Sequence, residues 1–233
     1  MCPKIPLIDD LTDNQIPPGS NVLVEFDSAS QWFNASIAIA AGWIKTGGKL
    51  HYGASAQPPE RIRTILGRLG VDAAKAESKE KLTILDWYTA TLGRKSREKH
   101  AVASLRVSEL SISMRKQDEE ASIRSDTLWV IDSASTVARF NDERSWVEFT
   151  LTRAIPSTRT DKSRSIDGLL RGVHTEGAYR QLEAAYDGIV DFRIEEKGIA
   201  TRNLVRIRTM RDVGYDREWH EVNIGVNFEV TLE

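Results

Sequence analysis

The chain has 233 residues, of which 40% are hydrophobic and 28% charged, a composition that suits one globular domain with a buried core. Because 32 Lys and Arg face 34 Asp and Glu, no global field attracts nucleic acid or an anionic membrane. Cys2 is the single cysteine, which excludes internal disulfides and cysteine-rich metal sites.

The N-terminal segment MCPKIPLIDDLTDNQIPP is too polar and too interrupted by proline for a signal peptide. No apolar run reaches the roughly 20 residues that span a bilayer. We therefore expect a protein of the reducing cytoplasm without a membrane partner. We treat residues 1–233 as a single domain in which residues 1–14 are an N-terminal extension.

Residues 22–41, VLVEFDSASQWFNASIAIAA, have the layout of a phosphate-binding strand, loop and helix. A P-loop has the form GxxxxGK[ST], in which the glycines let backbone N–H groups surround the phosphates and the lysine and hydroxyl hold phosphate and magnesium. Laid over this chain, the four defining positions fall on Phe26, Gln31, Trp32 and Phe33. All four differ, so the stretch alone also fits an ordinary strand–turn–helix. We predict a compact turn at residues 26–30.

Strand and helix patterns alternate in the next part of the chain. The residues predict a strand over 49–52, a helix that begins at Pro58–Pro59 and ends near Gly70, and a strand over 82–87. Strand–helix–strand winding with short connections predicts a parallel sheet.

A charge-rich segment, residues 88–126, interrupts this alternation. It contains RKSREKH at 94–100 and MRKQDEEASIR at 114–124, and its apolar positions between 105 and 112 fit either a helix or a strand. The basic residues raise the alternative of a nucleic-acid patch. We favour a solvated charged insertion, because acidic residues follow directly and no aromatic residue lies among them.

Residues 128–132, LWVID, give the strongest strand signal. An Asp at the carboxyl end of a parallel strand lies where doubly wound sheets bind ligands; the other interpretation of Asp132 is a carboxylate that hydrogen-bonds the neighbouring loop. The segments that follow are interpreted as a helix over 141–153, a loop over 155–164, a strand over 169–173 and a helix over 176–185.

Alternation with a period of two marks the last third of the chain. Residues 188–195 and 204–210 predict an antiparallel hairpin with its turn at Lys197–Gly198. Apolar residues alternate again from 222 to 232, with Gly225 at a bulge or turn. The predicted fold class is therefore α/β, with a mainly parallel sheet flanked by helices and with C-terminal antiparallel hairpins.

Taken together, these stretches resemble the KaiC-like branch of the RecA superfamily of P-loop ATPases, which is common in archaea. The resemblance runs along most of residues 15–232. IPPGSNVLVEF is similar to the family's first turn and strand, PPERIRTILGRLGVD to its second helix, LWVIDSAS to its Walker B strand, and GAYRQLEAAYDGIVDF and VRIRTMRD to the elements of its terminal hairpins. It implies a RecA-like core, with Asp132 in the magnesium-directing position.

The chain departs from the family's pattern at the positions that carry the chemistry. The resemblance implies an acid at the end of the second strand, but that strand runs LHYGASAQ with no acid before Glu60, and Thr209 replaces a basic residue of the hairpin while Arg211 remains. Since phosphoryl transfer depends on positioning and charge stabilisation, little remains to catalyse it. We predict a pseudo-ATPase without catalytic residues, cofactor or metal, acting as a regulatory or assembly module. The alternative is an atypical ATP-binding ATPase in archaeal signalling or DNA repair.

Two sets of residues leave alternatives open. Trp32 and Phe33 either fill the space of the missing phosphate, which we favour, or form an exposed contact for a partner. The hairpin arginines form either a solvated basic face or an interface with a protein partner or a second copy, where Glu25 and Asp27 would replace the phosphate. The candidate interface residues are Arg206, Arg208 and Arg211.

The remaining candidates predict no site. The four histidines lie in no metal-ligand spacing, and Ser133 and Ser135 lack the G-x-S-x-G turn of serine hydrolases. We expect four of the tryptophans to lie in the core: Trp43, Trp87, Trp129 and Trp146.

Overall fold

Nine strands are present in residues 4–112, 126–197 and 200–233, the part of the chain that a computed structural model describes. In chain order they are β1 (Asn21–Phe26), β2 (Lys49–Ala54), β3 (Leu82–Asp86), β4 (Thr127–Ile131), β5 (Arg164–Leu170), β6 (Gly188–Lys197), β7 (Ala200–Met210), β8 (His220–Ile224) and β9 (Val230–Leu232). They form one sheet in the order β3-β2-β4-β5-β1-β6-β7-β8-β9.

The sheet changes from parallel to antiparallel at β6. Strands β1 to β5 pair only in parallel, and β6 pairs in parallel with β1 and antiparallel with β7. Strands β8 and β9 continue the antiparallel part. Strand β5 lies between β1 and β4, so the loops that follow these three strands meet at one edge of the sheet. The predicted fold class is confirmed.

Helices cover both faces of the sheet. They are α1 (Trp32–Lys45), α2 (Pro59–Arg68), α3 (Ala73–Ser78), α4 (Tyr88–Thr91), α5 (107–112), α6 (Ala134–Ala138), α7 (Glu143–Phe149), α8 (Ile155–Asp161) and α9 (Glu176–Ala185), with a π-helical turn, Thr150–Ala154, between α7 and α8. One apolar cluster lies between the sheet and α1 to α3, and a second contains side chains of α6, α7 and α9. Within the described ranges no helix combines the length and apolar character needed to cross a membrane.

The predicted loop over 155–164 is wrong, because most of it is helical. Helix α7 begins at Glu143 rather than 141, since the Asp142 side chain accepts a hydrogen bond from the Ser145 backbone N–H and caps the helix. The chain then runs through the π-helical turn into α8. Pro156 lies in the first turn of α8, directly after the π-helical turn.

Strand β5 begins at Arg164, five residues before the predicted start. The Arg164 side chain is buried, and its Nε donates to the carbonyl oxygen of Ile16 at 2.8 Å. A basic residue therefore opens a central strand, which an apolar pattern cannot indicate. The final alternation contains two strands, β8 and β9, and of the two alternatives for Gly225 the structure has the turn, which spans residues 225–229 and is closed by the Gly225 N–H and the Glu229 carbonyl.

Residues of the predicted N-terminal extension and of the predicted charged insertion contact the rest of the fold. Ile5, Leu7 and Leu11 lie in the larger apolar cluster, and Leu105 and Leu110 lie in the smaller one. The predicted charged run at 114–124 and the turn at 198 lie outside the described residues. Among the four tryptophans predicted for the core, three are buried and Trp129 is half-buried.

Candidate functional site

The turn between β1 and α1 is closed by hydrogen bonds within the protein. The Asp27 N–H donates to the carbonyl of Phe192, and the Ser30 N–H donates to the carbonyl of Asp27, both at 3.0 Å. The Gln31 N–H donates to the Asn203 side chain at 2.9 Å. Three backbone donors in the segment where a P-loop would face phosphate are therefore already in use. The turn is compact, as predicted.

Trp32 opens α1 and is 1% exposed. Its Nε1–H donates to the carbonyl oxygen of Asp132 at 2.8 Å, so the indole joins the start of α1 to the end of β4. The ring stacks on Phe26 with centroids 6.0 Å apart and meets Phe192 edge to face. A Cβ at Gly168 of β5 would lie 2.4 Å from Nε1, so only glycine leaves room for the indole. Of the two alternatives, the buried one is correct for Trp32.

Phe33 is half-buried and contacts the Phe26 ring edge to face at 5.4 Å. It lines a cavity of about 130 Å³ beside the start of α1. Arg61, in the first turns of α2, also lines this cavity, together with Ser30 and Gln31. The space beside the start of α1 is therefore small, and Arg61 is the cationic side chain among its lining residues.

Asp132 is fully buried and bonds to the loop that follows β2. Its Oδ1 accepts hydrogen bonds from the Ser55 N–H at 2.9 Å and from the Ser55 hydroxyl at 2.5 Å, and its Oδ2 accepts one from the Ala56 N–H at 3.1 Å. Burial raises the pKa of Asp132 to about 6, although these hydrogen bonds act in the opposite direction. Its carboxylate is thus held by the loop, which agrees with the second interpretation of this residue.

The hairpin arginines take part in ion pairs within one chain. Arg208 contacts Glu25 at 2.8 Å as well as Asp191 and Glu183, and Arg206 contacts Asp191 at 2.9 Å. The acid expected to replace phosphate between subunits, Glu25, is therefore already paired inside the subunit.

Two further arginines complete this ion-pair cluster. Arg171 lies 3.0 Å from Glu25 and 3.6 Å from Asp27, and Arg193 lies 3.3 Å from Asp191. Burial raises the pKa of Glu25. Burial alone would also raise the pKa of Asp191, but the hydrogen bonds that this carboxylate accepts from arginines outweigh burial, and the pKa of Asp191 is lowered. Outside the cluster Arg211 is half exposed and pairs with an acid just before β6.

In the described part of the chain, no three His, Cys, Asp or Glu side chains lie close enough together to hold a metal ion, so the histidines form no metal site there. His51 is buried against the Trp129 ring with centroids 4.4 Å apart, and burial lowers its pKa to about 3. His220 pairs with Asp216 near the surface.

His174 takes part in a contact that the sequence reasoning missed. Its Nε2 lies 2.8 Å from the Ser135 hydroxyl, and its Nδ1 lies 3.1 Å from Glu143. A topological signal existed, because Ser135 follows β4 and His174 follows β5. Loops after adjacent parallel strands meet at one edge of the sheet, but the order of the strands was needed to see that these two are adjacent.

Comparisons with known proteins agree with this fold. The family model described as "ATPase: KaiC" matches residues 4–230. The chain belongs to the KaiC family. A crystal structure of a KaiC-like protein from the hyperthermophilic archaeon Pyrococcus horikoshii OT3 matches all of this chain and 98% of that protein, with a TM-score of 0.75 and 18% sequence identity. At this identity the likeness concerns the fold alone. No curated protein matches the chain in sequence.

Proposed function

We propose that this KaiC-family domain is a pseudo-ATPase, which neither hydrolyses ATP nor binds Mg–ATP tightly and which acts as a regulatory or assembly module. The observation that carries the proposal is Trp32. Its indole stands in the sequence position of the loop lysine, is buried, and is hydrogen-bonded to the end of β4. A cationic side chain that would reach the β- and γ-phosphates is replaced by one that packs inside the protein.

The residues around Asp132 do not fit a magnesium ion held with ATP. The P-loop hydroxyl position is Phe33, which offers no oxygen ligand. Both Asp132 oxygens accept hydrogen bonds from the loop after β2. Ser55 follows β2 where the family resemblance implies an acid, and its hydroxyl donates to Asp132. Neither Asp132 nor Ser55 is therefore free to bind the metal or to activate a water molecule, and we derive no phosphoryl transfer.

The test is calorimetric titration with ATP and magnesium, beside a KaiC-family protein that carries an intact GxxxxGK[ST] loop. We expect no saturable heat from this chain and no phosphate release. Each missing charge-assisted hydrogen bond removes about 1.5–3 kcal/mol of phosphate binding. Micromolar, magnesium-dependent affinity that is lost in Asp132→Ala would overturn the proposal and favour the atypical ATPase.

A second candidate function is weak, magnesium-independent binding of a nucleotide phosphate at Arg61. The cavity beside the start of α1 and its cationic lining favour it. Binding that survives Asp132→Ala but is lost in Arg61→Gln distinguishes this candidate from both Mg–ATP binding and no binding.

Assembly is the remaining part of the proposal, with a protein partner or a second copy at the RecA-like interface. Because Arg206 and Arg208 are engaged inside the chain, the more exposed Arg202 and Arg211 are better placed to contact a neighbour. Light scattering after size exclusion should give an oligomer for the wild type. Reversing both exposed arginines to Glu should dissociate it, whereas Arg180→Glu, on the exposed face of α9, should not. A monomeric wild type would contradict self-assembly.

A further inference from the structure

Ser135, His174 and Glu143 are arranged as a nucleophile, a base and an acid that orients the base. The Ser135 hydroxyl lies 2.8 Å from His174 Nε2, and Glu143 Oε1 lies 3.1 Å from His174 Nδ1. These distances are within the reach required for proton transfer and for orientation of the imidazole. The three residues come from the first turn of α6, the start of α7 and the loop between β5 and α9, so the fold alone brings them together.

The hydrogen bonds fix the direction of each proton. The Ser135 hydroxyl oxygen accepts from the Leu170 backbone N–H at 2.9 Å, so its own hydrogen is free to point at His174. Glu143 accepts from the Thr175 N–H and hydroxyl, and these bonds hold the pKa of Glu143 below its usual value. An ionised Glu143 retains the proton on Nδ1, which leaves Nε2 as the acceptor that faces the serine.

Aromatic rings hold the imidazole in this position. Trp146 stacks on His174 with centroids 5.0 Å apart, and Tyr179 meets it edge to face at 5.7 Å. The Tyr179 hydroxyl is itself tied to the Leu170 carbonyl at 2.7 Å. The base is therefore positioned before any ligand arrives, which is the condition for efficient general-base catalysis.

The three residues line a cavity of about 290 Å³. This volume is near the lower end of the range for small-molecule sites. Thr136 and Arg139 line the same cavity and offer a hydroxyl donor and a positive charge, the groups that an oxyanion requires. The residues that line this cavity include neither Trp32 nor Arg61 of the ATP-related region.

We propose that Ser135 is the nucleophile of a second site, which hydrolyses small carboxylic esters. Ser135 Oγ bonds to the ester carbonyl carbon while its proton passes to His174 Nε2. The bond from that carbon to the alcohol oxygen breaks, and the alcohol leaves with the proton from His174. A water molecule then attacks the acyl-serine and gives its proton to His174, which returns it to Ser135 as the acid departs.

The experiment labels the full chain with a fluorophosphonate and locates the adduct by mass spectrometry, with hydrolysis of 4-nitrophenyl acetate measured in parallel. We expect an adduct on Ser135 and none in Ser135→Ala. His174→Gln should slow labelling by about 10²- to 10⁴-fold, the contribution typical of a general base. His220→Gln is the matched control, because His220 pairs with an acid but with no serine, and it should label at the wild-type rate.

Two further variants, Ser135→Cys and Glu143→Gln, test the same site. Ser135→Cys retains a hydrogen-bonding group if the alanine variant does not fold, and its alkylation by iodoacetamide should be slowed by His174→Gln. Glu143 is a positioning residue, so Glu143→Gln should lower the labelling rate at neutral pH and regain part of it at high pH. A folded wild type that gives no Ser135 adduct, or an adduct whose rate ignores His174, overturns the proposal.

Discussion

Replacing Trp32 tests whether the indole has become part of the core. Trp32→Ala removes a buried ring that contacts Phe26 and Phe192, and truncations of this size cost about 3–5 kcal/mol of unfolding free energy. Trp32→Phe keeps most of the ring volume but deletes the Nε1–H donor to Asp132, and a buried carbonyl that loses its partner costs about 1–3 kcal/mol. We therefore expect both variants to be destabilised, the alanine variant more.

Urea unfolding, followed by circular dichroism, measures both changes. Trp219→Ala is the matched control, because Trp219 is 39% exposed and its ring lies against the Arg206 guanidinium; an exposed contact of this kind is worth about 0.5–1 kcal/mol. If Trp32→Ala loses no more stability than Trp219→Ala, the indole is not a structural replacement for the loop lysine and the reasoning fails.

Two other predictions concern buried charge. Burial raises the pKa of Asp167 from about 3.9 in the unfolded chain to about 6. Between these two values the folded state binds more protons than the unfolded state. The free energy of unfolding of the wild type therefore falls as the pH rises from 4 to 6. Asp167→Asn should lack only the part of this fall that comes from Asp167, because buried Asp132 also has a pKa raised to about 6. Between pH 4 and pH 7 the stability of the variant should therefore gain about 3 kcal/mol relative to wild type in urea titrations. Parallel pH curves for the two proteins would contradict this. Arg208→Met should lower the free energy of unfolding by about 3 kcal/mol, because it weakens the ion pairing of buried Asp191. The exposed variant Arg180→Met should change that free energy by no more than about 0.5 kcal/mol. Equal losses in the two variants would contradict this prediction.

Local sequence patterns predicted the elements that bury apolar residues at a regular period. Helix α9 begins and ends where the pattern indicated, and β2 to β4 lie within two residues of their predicted bounds. Strand β5 was mislocated because it begins with Arg164, whose buried guanidinium bonds to a carbonyl 148 residues away in sequence. A contact of that range leaves no periodic signal.

Contacts between residues that are distant in sequence also limited what could be predicted about the site. The sequence shows that residues 26–33 do not match GxxxxGK[ST], but the indole–Asp132 contact depends on Gly168 of β5, which no motif singles out. Likewise, the arginines of β7 could be recognised as a group, but Glu25 of β1 was considered only as a partner across subunits, and Asp191 of β6 was not singled out. Partners on neighbouring strands become visible only when the strand order is known.

The position of β1 in the sheet has a consequence for synthesis on the ribosome. This apolar strand pairs only with β5 and β6, and Ser165 of β5 bonds to Asn21 from 144 residues further along the chain. At about 5–20 residues per second, the ribosome needs about 7–30 s to supply the first partner. During that interval the strand exposes unpaired backbone N–H and carbonyl groups that another nascent chain can bind. Chaperone contact with residues 21–26 during translation is the expected means of keeping the strand available for β5.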